Sequence, residues 1–134
     1  MTPKAAQVVR GFFDAAERFS GLRLPELFAG LERDRGAFPV QYQGANVPQA
    51  WASGAVVQLV AALLGLDADA DARQLAVRPA LPDWLPEISV KGLSVGEATV
   101  DLRGSRSTDG EHHLDVVPVT GDLEVYLDQP SMLR

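Results

Sequence analysis

Residues 48–66 read PQAWASGAVVQLVAALLGL, and this stretch decides the fold. Pro48 suits the first turn of a helix, where its missing N–H has no intrahelical partner to lose. From Ala55 to Leu66 the run is apolar except for Gln58. The spacing predicts a helix over 48–64 that is apolar on nearly every side. Such a helix is expected to be buried on more than one face. The run is too short to cross a bilayer.

Towards the N-terminus the pattern stays helical. Thr2 is a plausible N-cap and Pro3 a first-turn residue. Val8, Val9, Phe12, Phe13, Ala16 and Phe19 recur at helical spacing, and Ser20-Gly21 ends the run, so a helix is predicted over 3–19. A short helix is expected over 24–31, with Pro25 in its first turn. Gly36, Pro39 and Gly44 mark 34–46 as a loop.

The period changes after Asp67. Leu75 and Val77, then Ile88 and Val90, read as strands. Ala98, Val100 and Leu102 alternate with Thr99, Asp101 and Arg103, the pattern of a half-buried strand. Val95-Gly96-Glu97 reads as a turn and 105–110 as a polar loop tip. Leu114 and Val116, then Leu123, Val125 and Leu127, alternate again on either side of Thr120-Gly121-Asp122. The expected fold class is α+β: a helical segment over 1–66, then an antiparallel meander of about four or five strands within 67–134.

Composition narrows the function classes. The chain has 134 residues, 46% of them hydrophobic, which suits a single compact domain or a two-part piece. A net charge of −6 argues against a nucleic-acid partner, which needs a basic face. Without cysteine there is no disulfide framework, thiol chemistry or cysteine-ligated zinc. The first residues are interrupted by Lys4, Gln7 and Arg10, so no signal peptide is read there, and a cytoplasmic location is expected. No membrane partner and no cofactor is expected.

Several polar motifs bear on chemistry. Asp67, Asp69 and Asp71 begin like a calcium loop, but Ala72 and Arg78 occupy the positions that need glycine and an acid. The stretch reads as a solvated loop. His112 and His113 are adjacent, and in a strand they point to opposite faces, so no metal site is expected. Glu26 follows Pro25 and has Arg23 close by. Its residues alone read as a first-turn carboxylate favoured by the helix dipole, or as half of a two-carboxyl hydrolytic pair. Asp14, Glu17, Glu32 and Asp34 read as solvated. Tyr42 and Trp51 are either packing residues or faces for sugar rings, which present apolar C–H surfaces. Gln49 either serves the start of a helix or bonds sugar hydroxyls.

Two motifs, RLPELFAG at 23–30 and PQAWASG at 48–54, carry a resemblance. They resemble the late part of the helical barrel in bacterial amylo-α-1,6-glucosidases, the glycogen-debranching type of glycoside hydrolase. The stretch PALPDWLPEISVKGLSVGEATVDL at 79–102 is similar to the strand-rich tail of the same proteins. The resemblance implies the last part of an (α/α)6 barrel followed by a small antiparallel sheet. It makes Glu26 the candidate general base of an inverting mechanism, with Arg23, Tyr42, Gln49 and Trp51 as substrate-binding candidates on an α-glucan or oligosaccharide. In that family the general acid comes from an earlier helix. The chain is therefore expected to be a fragment or relic, inactive alone, that forms a homo-oligomer or associates with a missing catalytic segment. The alternative is a non-catalytic carbohydrate-binding or protein-interaction module.

Overall fold

The computed structural model describes residues 1–32, 34 and 37–127. Arg33, Arg35 and Gly36 of the expected loop region, and Asp128 at the end of the expected sheet, lie outside the described residues. The chain divides into two compact units, residues 1–60 and the part from Ala61 onward. The elements together are α+β, with the strands in the second unit.

The first unit opens with helix α1 (Pro3–Ala16). The Thr2 hydroxyl accepts from Ala5 N at 3.3 Å, the N-cap that the sequence announces. The helix stops three residues before its apolar pattern does. Phe19 instead precedes a 3-10 turn, Ser20–Leu22, in which Gly21 and Leu22 have φ of +65° and +59°. Helix α2 (Ala50–Leu64) begins in this unit. Ala15, Ala16, Leu24 and Ala52 form a buried cluster, and Phe12, Phe19 and Val56 pack against it.

The short helix expected over 24–31 is absent. Leu24 to Ala29 run extended beside residues 40–49, and Phe28 bridges Gln41 in antiparallel fashion. Eight residues cannot repay helix nucleation by themselves. Here the N–H groups of Glu26 and Ala29 go instead to Asn46 O and Val40 O, both at 2.9 Å. Helix α2 also departs from expectation. Ala52, Leu63 and Leu64 are buried, but Trp51, Val57, Gln58 and Ala62 are exposed, so it is not covered on all sides.

The second unit takes the last turn of α2 and, among the described residues, all six strands. One sheet holds β1 (Asp67–Asp69), β2 (Gln74–Val77) and β6 (Glu124–Leu127) in the order β1-β2-β6. The other is the meander β3 (Glu87–Val95), β4 (Ala98–Arg106) and β5 (His112–Thr120). The meander is antiparallel throughout, and Ala98, Val100, Leu102 and Gly104 of β4 alternate inward as the period requires. Leu63, Leu64, Leu75, Val77 and Leu81 complete the buried core. On the outer face Arg103 bonds Glu87 at 2.5 Å, and that hydrogen bond holds the Glu87 carboxyl below the usual carboxylate range.

The single antiparallel meander is thus corrected in two ways. The described residues form two sheets, and β2 pairs with β6 in parallel, from Gln74↔Glu124 to Val77↔Leu127. Alternation marks a strand but does not encode the direction of its neighbour. After β5 the chain turns through Gly121 and returns to β2. Glu124 N donates to Arg73 O at 2.9 Å, and Gln74 Nε2 donates to Glu124 Oε2 at 2.9 Å. Asp67 and Asp69, read as loop, form β1, although their side chains remain solvent-exposed. Among the described residues, no helix is long and apolar enough to cross a membrane.

Candidate functional site

Of the five residues expected at the site, Glu26, Tyr42 and Gln49 lie along one irregular ribbon of the first unit, and Arg23 and Trp51 lie just beyond it. Residues 24–29 run antiparallel to 40–49. Gln49 N donates to Leu24 O at 3.2 Å, Glu26 N to Asn46 O at 2.9 Å, and Tyr42 N to Leu27 O at 3.0 Å. The ribbon is anchored at one end by Leu24 and Pro25, both fully buried. At that same end it runs into α2, where Gln49 O accepts from Ser53 N at 2.9 Å. Trp51 then sits in the first turn of that helix.

Glu26 is half-buried and held. Its Oε2 accepts from Asn46 Nδ2 at 3.0 Å and from Asn46 N at 3.3 Å. With Glu26 N bonded back to Asn46 O, the two residues clamp the ribbon by side chain and main chain together. The helix-dipole reading of Glu26 is overturned, because no helix starts there. Nor is Arg23 its orienting group. Arg23 is exposed, and among the described residues no ion pair joins it to Glu26. The orienting group is Asn46, which the sequence reading passed over. Asn46 is twenty positions from Glu26, and no local periodicity signals such a pair.

Tyr42 and Trp51 are both open to solvent, with 57% and 61% of their surface exposed. Neither is a core anchor, so packing alone does not account for them. Gln49 is half-buried, and its main chain, rather than its side chain, serves the start of α2. The ribbon therefore carries one oriented carboxylate and two exposed aromatics, Tyr42 and the less open Phe28. A further exposed aromatic, Trp51, follows directly after the ribbon. Such a set can bind a ring with an apolar face and a polar rim. It offers one carboxylate where hydrolysis of a glycosidic bond takes two.

A separate apolar cavity of about 270 Å³ lies beside α1, lined among others by Val8, Phe12, Phe28, Leu31, Pro39 and Val40. None of the five nominated residues lines it. Next to it Phe19 meets Phe28 edge-on at 6.1 Å and Phe38 at 5.2 Å between ring centres. In the second unit the turns at 70–73, 95–98 and 121–122 enclose a polar groove with Asp71, Arg73, Glu97 and Asp122. Arg73 is bonded to Asp122 at 3.1 Å there. Asp69 caps its own turn by accepting from Ala72 N at 2.9 Å. Among the described residues, no group of three histidine or acidic side chains is placed to hold a metal ion.

Comparison with protein families, curated proteins and solved structures finds no match to this chain.

Proposed function

We propose that this chain is an α-glucan-binding piece of an amylo-α-1,6-glucosidase-like glycoside hydrolase, cytoplasmic and unable to hydrolyse its ligand alone. The observation that carries the reading is the exposure of Tyr42 and Trp51 beside the ribbon that orients Glu26. Exposed rings so placed stack on sugar faces, while Asn46 keeps one carboxylate oxygen of Glu26 occupied and leaves the other to meet a hydroxyl or a water. In a completed (α/α)6 barrel Glu26 would be the general base, and the acid would come from another segment. Alone, one carboxylate cannot both protonate a leaving oxygen and activate water.

The deciding experiment pairs calorimetry with a hydrolysis assay on a branched α-1,6-linked oligosaccharide. Binding without turnover is expected. Absence of binding at millimolar ligand overturns the glucan reading. Turnover that vanishes in Glu26→Gln overturns the claim that the site is incomplete.

A second reading, a protein-interaction module, is favoured by exposed apolar side chains. Val8, Leu31, Val40 and Val57 of the first unit are all more than half exposed. Apolar surface of this kind marks association surfaces. Self-association, most simply as a two-fold dimer, is the expected result of sedimentation at micromolar concentration. A monomer at every concentration tested removes this reading.

A further inference from the structure

Residues 79–86 cross the second unit as a strap between β2 and β3. Main-chain bonds hold its two ends: Ala80 N donates to Leu63 O at 2.8 Å, and Arg106 N donates to Pro86 O at 2.8 Å. Its middle is tied by two side chains. Asp83 Oδ1 pairs with Arg106 Nη1 at 2.9 Å, and Leu81 N donates to His112 Nε2 at 3.0 Å. Leu81 is only 3% exposed, so its amide has no ready exchange partner in water. An amide bonded to a ring nitrogen requires that nitrogen to be unprotonated. The shorter contact thus assigns the neutral ring with its proton on Nδ1.

The same Nε2 lies 3.4 Å from Leu81 O. One nitrogen therefore faces both polar groups of one buried residue. Without a proton it accepts from the amide. With a proton it donates to the carbonyl, and the amide is left facing a second donor. We infer that His112 is a two-position latch on the strap, closed on Leu81 N when the ring is neutral and transferred to Leu81 O when the ring is protonated. The transfer orphans a buried N–H, which costs about as much as a hydrogen bond yields, and loosens the strap.

The charged groups around the latch do not replace it. Arg106 stands opposite His112 in the β4–β5 register, and Asp83 on the strap is paired to it, so those two charges offset each other. On its own strand His112 is followed by His113, whose side chain points to the opposite face, and it is preceded by the exposed Glu111. The strap is thus closed while the ring is neutral and loosened once the ring is protonated.

The test is nuclear magnetic resonance of the ring nitrogens and of amide exchange on the whole chain. The neutral ring is expected to carry its proton on Nδ1. The protection factor of the Leu81 amide, corrected for the intrinsic pH dependence of exchange, should fall about tenfold as the ring is protonated, the worth of one hydrogen bond. His112→Gln keeps an acceptor that does not titrate, so its protection should not vary with pH. His112→Phe should be as poorly protected as the wild type with its ring protonated. A proton on Nε2 of the neutral ring, or a Leu81 protection factor indifferent to the state of the ring, overturns the latch. The ring measurement needs no variant and stands even if one fails to fold.

Discussion

Replacing Gly65 with alanine is expected to destabilise the protein by about 3 kcal/mol or more, a fall of roughly 10 °C in melting temperature. Two costs combine. Gly65 has a φ of +58°, where an L side chain loses about 1–2 kcal/mol. A Cβ there would also overlap the Arg78 carbonyl oxygen and lie 2.9 Å from Arg78 Cβ. Neither neighbour can yield cheaply. Arg78 N donates to Leu64 O at 2.8 Å and to Gly65 O at 3.2 Å, so the end of α2 and the end of β2 are fastened at this point. Leu64 and Val77, beside these bonds, are fully buried. Gly54→Ala is the control. It lies within α2 with nothing within 4 Å of the added carbon, and the change should stabilise by about 0.5–1 kcal/mol through helix propensity. The two melting curves should move in opposite directions. A Gly65→Ala melt at or above the wild-type value would refute the crossing geometry.

Period carried the sequence reading a long way. The apolar spacing of Val9, Phe12 and Ala16 fixes α1, and the alternation from Ala98 to Leu102 fixes β4, because each pattern has one geometry that buries it. The antiparallel neighbours β3, β4 and β5 also meet as expected, and the differences lie in segments that find partners farther along the chain. Leu24–Leu31 is compatible with a helix in its own residues, yet its amides are taken by residues 40–46, a partner no window of eight residues contains. Leu75 and Val125 mark strands, but their parallel pairing is decided by the path of the chain after β5. The apolar character of α2 was legible, and its coverage was not, since hydropathy gives what a helix would bury and not how many neighbours it has.

The same distinction runs through the site. Glu26, Tyr42 and Trp51 were visible as chemistry-bearing residues in short motifs. Arg23 is near Glu26 in sequence, whereas Asn46 is the residue that meets its carboxylate in space. An asparagine with Gly44 and Pro48 close by reads as turn chemistry, which hides a side chain that reaches across a ribbon. Exposure is also a tertiary property. Only the folded chain separates an aromatic that opens to solvent from one that fills a core.

Loss of the Tyr42 and Trp51 rings is expected to remove glucan binding altogether while leaving the fold intact. Tyr42 and Trp51 expose more than half of their surface, so truncating them opens no cavity, and each should alter stability by no more than about 0.5 kcal/mol. If sugar rings stack on them, each truncation removes an anchoring contact worth about 1–2 kcal/mol. That is a loss of roughly tenfold apiece. Tyr42→Ala with Trp51→Ala should then weaken binding about a hundredfold, beyond detection for a ligand held at high micromolar affinity. Tyr42→Phe separates stacking from hydroxyl bonding, since it keeps the ring face and should keep most of the affinity. Calorimetry and thermal melts on the same samples decide the matter. Unchanged melting with lost binding places the sugar on the ring faces. Binding retained in the double variant excludes the ribbon as the site. A large drop in melting temperature would mean that the rings pack against more of the chain than their exposure implies.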